Sequence, residues 1–378
     1  MDQHAMGDDW SAGISMKKQV IVIGAGIIGA SIAYQLARFG ATVTIIDAGG
    51  PAGQASGASF GWINASFYVN PEHFALRLAG IKAHARLARC LNIAERRKNG
   101  ALCWEAKGEA LDHQATALRG LGYVVEEIDA AAFATLEPNI ATPPERCLSF
   151  PIERAVDPAT LTAELLQAAS ALGARFVGGV FAGGLATRGG QVCGVETELG
   201  IFSADQVVVA AGTGTSSLLS PFGLTLKMLP RPGLLMRTRP VAPVVNHILA
   251  APGQELRQLK DGRILAPTSA SHQSDTSEVV MERPDLLAEV ALTRLRALLP
   301  SVDIEWESVT LAMRPVPEDG LPVIGACGPN GTYVATMHSG VTLAAIVGEL
   351  VAEELRGKDS LGSREAAMLA PFRPARFS

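Results

Sequence analysis

Three glycines and one acid near the start of the chain have the types and spacing of a dinucleotide-binding turn. In the stretch VIVIGAGIIG, an apolar run at residues 20–23 leads into Gly24, Gly26 and Gly29, and Asp47 follows about 20 residues further on. Gly24 permits a tight turn, Gly26 lets the backbone approach a pyrophosphate, and Gly29 lets a helix pack closely on a strand. Asp47 can accept hydrogen bonds from ribose hydroxyls. The chemistry that these residues indicate is the binding of a dinucleotide.

The elements around the glycine turn are those needed to position it. After the turn, Ile28, Ile32 and Leu36 recur at helical spacing until Gly40, and residues 43–46 form a second apolar run that ends at Asp47. This order predicts a strand, a turn, a helix and a strand. Such a helix directs its free N–H groups and the positive end of its dipole towards bound phosphates.

The parallel strands of this unit need further neighbours, which later segments supply. Residues 206–211 (QVVVAA) predict a buried strand that ends at Gly212, and a helix with its apolar residues on one face is predicted to begin after Gly340. The fold class that follows is α/β, or α+β overall, with a Rossmann-like domain and a discontinuous mixed-sheet domain. The predicted parts are a disordered extension at residues 1–16, with Met16 as an alternative start, a dinucleotide-binding domain of residues 17–65, 145–220 and 313–378, and a substrate-binding domain of residues 66–144 and 221–312.

Composition argues against several classes of function. The chain has 378 residues, a net charge of −5 and no long basic run, which disfavours binding to nucleic acid phosphates as its main activity. The five cysteines are scattered without a CxxC pair, which predicts neither disulfides nor a metal site. No run of about 18 apolar residues occurs, and the polar, acidic first fifteen residues lack a signal core, so we predict a cytoplasmic protein without a spanning segment.

Three separated segments resemble the FAD-dependent amine and amino-acid oxidoreductases of the D-amino-acid oxidase group, which includes glycine oxidase, sarcosine oxidase and D-amino-acid dehydrogenases. They are the glycine turn with Asp47, residues 207–212 (VVVAAG), and the pair MRPVPEDGLPVIG and MHSGVTL at residues 313–325 and 337–343. The resemblance implies FAD as cofactor. It also implies oxidation of the C–N bond of a D-amino acid, D-hydroxyproline, sarcosine, glycine or an opine, by hydride transfer to flavin N5 with formation of an imine. Residues 66–144 and 221–305 carry little motif, so the substrate stays open.

The resemblance implies roles for two side chains. Arg314 lies where family members place an arginine that binds the substrate carboxylate, and a planar guanidinium can hold a carboxylate through two parallel hydrogen bonds. The alternative is an ion-paired or surface arginine. His338 could contact flavin or substrate, or assist deprotonation of the amine, or only fix its turn.

The resemblance also implies a set of FAD contacts. Residues 56–64 (SGASFGWIN) are expected to run alongside the flavin, although Trp62 could equally belong to the core. Backbone N–H groups at the start of the helix after Gly340 are expected to stabilise negative charge on the flavin. The predicted FAD contacts are Gly24, Gly26, Ile28, Gly29, Asp47, Ser56, Ser59, Gly61, Trp62, Val180, Ala211, Gly212, Gly340, Val341 and Thr342.

Departures from the family pattern refine these expectations. Members with covalent flavin carry a cysteine where this chain has Ala312, so we predict non-covalent FAD. The sarcosine-oxidase branch carries a lysine where this chain has Thr342, and the missing charge favours a dehydrogenase over an oxidase. The short turn Met337-His338-Ser339-Gly340 resembles the β subunits of heteromeric D-hydroxyproline and opine dehydrogenases, which implies electron-accepting partner subunits.

Three rival functions stay open. An NAD-linked dehydrogenase would share the first glycine turn but not the pattern from Arg314 to Leu343. A tRNA-modifying FAD oxidoreductase would share the fold, although the net charge of −5 disfavours it. An electron-transfer or scaffold subunit would leave the Arg314 clamp unexplained.

Overall fold

The computed structural model describes residues 16–93, 100–270, 275–357 and 361–377. Residues 1–15 of the predicted extension lie outside this part of the chain, whereas Met16 is buried and its N–H donates to the carbonyl oxygen of Phe39 at 2.9 Å. The strands are β1 (Gln19–Ile23), β2 (Thr42–Asp47), β3 (Trp62–Ile63), β4 (Ala101–Cys103), β5 (Glu126–Asp129), β6 (Arg146–Phe150), β7 (Arg154–Ala155), β8 (Arg175–Gly178), β9 (Ala182–Arg188), β10 (Gln191–Thr197), β11 (Gly200–Ser203), β12 (Gln206–Val209), β13 (Met228–Leu229), β14 (Pro232–Thr238), β15 (Ile248–Ala251), β16 (Gln254–Gln258), β17 (Ile264–Pro267), β18 (Trp306–Met313), β19 (Val316–Pro317), β20 (Val323–Ala326) and β21 (Thr332–Thr336). The α-helices are α1 (Ile27–Arg38), α2 (Pro71–Cys90), α3 (Glu109–Gly120), α4 (Ala130–Leu136), α5 (Pro158–Ala171), α6 (Thr215–Leu219), α7 (Pro284–Leu298), α8 (Gly340–Arg356) and α9 (Ser363–Leu369).

A six-stranded sheet carries the predicted dinucleotide unit. Its strand order is β20-β21-β12-β1-β2-β8, and all neighbours are parallel except β20 and β21. Strand β1 lies between β2 and β12 and is buried on both faces, which explains its continuous apolar sequence. Because the parallel strands run in one direction, the loops that follow β1, β12 and β21 leave the same edge of the sheet. The predicted Rossmann-like α/β architecture is confirmed.

Helices cover one face of this sheet and a small antiparallel sheet covers the other. Helix α1 packs against α5 and α8, and Gly348 of α8 approaches α1 so closely that a Cβ there would lie 2.3 Å from the hydroxyl oxygen of Ser31. On the opposite face, strands β9 to β11 pack Leu185, Val192 and Val195 into a cluster with buried residues of β1 and β12. Both packings hold the glycine turn at the edge of the sheet.

An eight-stranded mixed sheet forms the second part of the molecule, in the order β18-β14-β17-β16-β15-β4-β6-β5. Helix α7 packs on one face and buries Leu292 and Leu295. Strand β6 belongs to this sheet, although the sequence analysis placed its residues in the dinucleotide-binding domain. Its short apolar run fits either sheet, and only its antiparallel pairing with β4 and β5 assigns it. Within the described residues, none of the helices is long and apolar enough to cross a lipid bilayer.

Candidate active site

A cavity of about 460 Å³ lies where the carboxyl edge of the six-stranded sheet meets the eight-stranded sheet. The glycine turn, Asp47, the segment after β12 and the start of α8 line one part of it, and residues 233–235 and 312–315 line another. All predicted site residues except Gly29 line this cavity. Gly29 lies beneath the turn, where a Cβ would come within 2.0 Å of the carbonyl oxygen of Gly24. Segments that are far apart in the sequence therefore contribute to one cavity.

The glycine turn leaves space where a phosphate group would approach. Gly24 has φ +107°, and a Cβ there would lie 2.4 Å from the carbonyl oxygen of Ala210, so the position requires glycine. At Gly26 a Cβ would be close only to the hydroxyl oxygen of Ser56, at 3.1 Å. That hydroxyl accepts a hydrogen bond from the N–H of Ile27 at 3.0 Å, and α1 begins there. The start of α1 thus offers a cradle for an anion at the cavity.

Asp47 lies at the end of β2 and is held by main-chain donors. The N–H of Ala25 donates to Oδ2 at 2.7 Å, and the N–H of Gly49 donates to Oδ1 at 2.8 Å. An ionised carboxylate has about four acceptor positions, so both oxygens retain capacity for further donors. The carboxylate is therefore oriented by the backbone and able to accept ribose hydroxyl groups.

Trp62 both belongs to the core and lines the cavity, which are the two positions that the sequence analysis left open. Its indole N–H donates to Oε2 of Glu153 at 2.7 Å, and its ring packs edge-on against Phe67 with the centroids 5.3 Å apart. Trp62 is buried among core residues, yet it also lines the cavity. Glu153, which is fully buried, further accepts from the hydroxyl of Tyr123 at 2.7 Å and from the N–H of Ser66 at 3.1 Å. Burial raises the pKa of the Glu153 carboxyl, and these hydrogen bonds oppose the rise.

The hydroxyl of Thr342 has a function that sequence reasoning missed, since only the backbone of this residue was considered. It donates to the carbonyl oxygen of Trp62 at 3.2 Å and accepts from the N–H of Asn64 at 3.2 Å. This bridge ties the first turn of α8 to the segment that follows β3. The two segments therefore form a continuous surface of the cavity.

A buried cation, Arg77 of α2, is the most important residue that the sequence did not reveal. Its Nε donates to the carbonyl oxygen of Asn64 at 3.0 Å, and its two terminal nitrogens donate to Asn64 Oδ1 and to the hydroxyl of Ser339. Arg77 is only 4% exposed and lines the cavity. Burial lowers its pKa to about 10, so it stays charged at neutral pH. We call Arg77, Asn64, Ser339 and Thr342 the Arg77 cluster.

Arg314 lines the cavity and is also held by contacts within the chain. Its Nη2 donates to the carbonyl oxygen of Pro232 at 3.1 Å and lies 3.8 Å from Oδ2 of Asp275. Burial lowers the pKa of the guanidinium, and the Asp275 carboxylate opposes that shift. Sequence reasoning did not identify Asp275, which no motif marks. The structure thus contains elements of both predicted alternatives, a cavity position and an ion pair.

His338 is half-buried on the cavity surface, and its Nδ1 lies 3.4 Å from the hydroxyl oxygen of Ser339. The pKa of the nearby His73 reflects the burial and the charges around it. Burial lowers this pKa to about 3, and the neighbouring Arg77 guanidinium and His338 ring add to that shift. The N–H of Val69 donates to Nδ1 of His73, which leaves the proton of the neutral ring on Nε2.

In the described residues, no group of three or more His, Cys, Asp or Glu side chains is placed to hold a metal ion. Among the described residues that line the cavity, none is a cysteine, and Ala312 is one of the lining residues.

Several known proteins are similar to this chain in sequence or in fold. Residues 19–354 match the family model described as DAO, FAD dependent oxidoreductase. A protein called D-amino acid dehydrogenase from Allorhizobium ampelinum is 27% identical over 416 residues, covering 90% of this chain and 96% of that protein. The crystal structure of glycine oxidase from Geobacillus kaustophilus superposes with a TM-score of 0.82 at 25% identity, covering 96% of this chain and 99% of that one. L-amino acid deaminase from Proteus vulgaris, at 22% identity, shares the fold with a TM-score of 0.83, covering 97% of this chain and 95% of that one.

Proposed function

The chain belongs to the DAO family of FAD-dependent oxidoreductases, and from this premise we propose that it oxidises the C–N bond of a small amino acid or secondary amino acid. One observation carries the proposal: Arg314 and the dinucleotide turn lie on the same cavity, so a carboxylate and a flavin can be held side by side. The names of the relatives, which include a D-amino acid dehydrogenase and a glycine oxidase, point to the same substrate class.

FAD fits the cradle that these residues form. The open side of Gly26 and the start of α1 would hold the pyrophosphate, Asp47 would accept ribose hydroxyls, and the first turn of α8 would face the flavin. We assign the remaining predicted contacts to the same ligand and propose that it is bound without a covalent link. Bound FAD supplies the two-electron oxidation of the substrate C–N bond, chemistry that no side chain of the cavity provides.

The side chains of the cavity orient the substrate. The Arg314 guanidinium would hold the substrate carboxylate, while Asp275 and the carbonyl oxygen of Pro232 fix the position of the guanidinium itself. His338 would accept the proton that an ammonium substrate must lose before oxidation, since the side chain lies on the cavity beside Ser339.

We propose a dehydrogenase rather than an oxidase, with electrons passed to a partner subunit. Thr342 replaces the lysine of the sarcosine-oxidase branch, and its hydroxyl is used for structure. Arg77 also places a positive charge in the Arg77 cluster, to which Thr342 belongs. The proposal of a dehydrogenase rather than an oxidase therefore rests less on local charge than on the similarity to the Allorhizobium ampelinum protein called D-amino acid dehydrogenase.

The test is an anaerobic screen of D-proline, 4-hydroxy-D-proline, sarcosine, glycine and opines for loss of flavin absorbance. We expect at least one amino acid to bleach the flavin within seconds, and the same reaction in air to give little peroxide. Rapid peroxide formation would identify an oxidase. If no amino acid bleaches a flavin that dithionite reduces normally, the alternative of an electron-transfer or scaffold subunit, or a tRNA-modifying enzyme, replaces this proposal.

A further inference from the structure

Arg77 is an unusual buried cation because its partners are neutral. In the described residues the guanidinium donates to the carbonyl and amide oxygens of Asn64 and the hydroxyl of Ser339, and no carboxylate lies within ion-pairing distance. Glu153 raises the pKa of Arg77 only from a greater distance. Burying a charge without a direct counter-ion is costly. A buried cation on the surface of a cavity is stabilised when the cavity holds a ligand that carries or gains negative charge.

The partners of Arg77 also control the shape of the cavity. Ser339 precedes α8 and has φ 60° and ψ 22°, a left-handed conformation that costs energy in a non-glycine residue. The hydrogen bond from Arg77 holds its hydroxyl in this conformation, and Asn64, the second partner, donates its N–H to Thr342. One side chain thus connects Ser339, the residue before α8, with Asn64, which is hydrogen-bonded to the first turn of α8.

We propose that Arg77 is a positioning residue that fixes the first turn of α8 against the FAD site and, through its charge, favours the reduced, more electron-rich state of FAD. Its charge and the positive end of the α8 dipole act on the same side of the cavity. Low dielectric, and the lack of a directly paired carboxylate among the described residues, make such a charge effective. This inference rests on the proposed binding of FAD in the cavity and does not depend on which substrate is oxidised.

The experiment measures FAD binding to the apoprotein and the midpoint potential of the bound flavin, neither of which requires a substrate. Arg77→Met keeps much of the side-chain volume and removes the charge. Hydrogen bonds to charged groups predict a loss of FAD affinity of about 10-fold or more, and the potential should become more negative. Arg77→Lys should retain a potential close to that of the wild type, while its affinity falls because a single ammonium cannot reproduce the three-way contact.

A second variant separates position from charge. Ser339→Gly allows the left-handed conformation without cost, so in that background Arg77→Met should lose less FAD affinity but shift the potential by the same amount. Arg86→Met is the matched control. Arg86 lies on the same helix, outside the cavity lining, and its Nε donates to Oε1 of Glu349 at 3.1 Å. Its substitution should leave the FAD affinity and the midpoint potential at their wild-type values.

Two results would overturn the proposal. One is Arg77→Met with FAD affinity within twofold of the wild type and an unchanged potential. The other is an Arg86→Met variant that behaves like Arg77→Met, because the effect would then come from general loss of α2 packing. If Arg77→Met does not fold, Arg77→Lys decides: wild-type affinity in that variant would refute the positioning role.

Discussion

Gly80→Ala is the substitution whose effect the structure defines most sharply. Gly80 lies in α2 where this helix crosses α8, and a Cβ there would lie 2.5 Å from the carbonyl oxygen of Thr342. Real Cβ contacts essentially never fall below 3.0 Å, so the two helices must separate by at least about 0.5 Å. The displaced residue belongs to the first turn of α8, which forms part of the FAD cavity. The variant therefore tests the link between helix packing and cofactor binding.

The magnitude follows from two opposing terms. Glycine to alanine inside a helix stabilises it by about 1 kcal/mol, whereas overpacking costs about 1–3 kcal/mol. The net effect of Gly80→Ala is a loss of about 0–2 kcal/mol. Gly120→Ala is the matched control, because Gly120 ends α3 on the surface and a Cβ there would meet nothing within 4 Å. The control should gain up to about 1 kcal/mol, which makes the difference between the two variants about 1–3 kcal/mol.

The assay compares urea unfolding and FAD dissociation of both variants with those of the wild type. We expect Gly80→Ala to release FAD more readily and to unfold at lower urea than Gly120→Ala. A Gly80→Ala protein that is as stable as the control and binds FAD as the wild type does would show that α2 and α8 are not packed as described.

Three further predictions concern the substrate, the cofactor and pH. Arg314→Lys should lower kcat/KM for the amino acid that bleaches the flavin by about 10- to 150-fold with FAD still bound, whereas Arg294→Lys, away from the cavity, should not; equal effects of the two would remove Arg314 from the site. Because Ala312 cannot link to FAD, acid or heat should release all of the yellow colour into the supernatant, and colour on the precipitate would contradict this. Burial lowers the pKa of His84 from the ordinary value of 6.5 to about 4. As the pH falls, His84 is therefore protonated in the unfolded chain before it is protonated in the folded protein, and the protein loses stability between pH 6.5 and pH 4. The loss reaches about 1.4 kcal/mol per pH unit; His84→Gln should reduce the slope of urea stability against pH, while a substitution of the exposed His113 should leave it unchanged.

Much of the cofactor half could be predicted because its signals are local. Gly24, Gly26 and Asp47 owe their roles to backbone conformation and to their place at strand ends, and both are visible in a single stretch of sequence. The strand that ends before Gly212 and the helix after Gly340 could be assigned because a parallel sheet brings the ends of its strands to one edge. The residue roles themselves stay predictions until a flavin is bound.

The missed residues share a different property. Arg77 stands in an ordinary helical pattern, Glu153 in a short loop, and Asp275 in a segment without motif, and each acquires its role only through contacts with distant residues. The same limit explains β6, whose apolar residues suit either sheet. Sequence patterns report which face of an element is buried, but they do not report which buried polar groups will meet.

The electrostatics of the cavity shows why bulk charge is a poor guide to the ligand. The chain carries a net charge of −5, which argues against a nucleic acid surface. The cavity nevertheless combines the N-termini of α1 and α8 with the guanidinium groups of Arg77 and Arg314. Helix dipoles do not appear in a count of charged residues, and a buried arginine is screened far less than an exposed one. This local arrangement of charge, which the net charge of the chain conceals, favours an anionic cofactor and the carboxylate substrate that we propose.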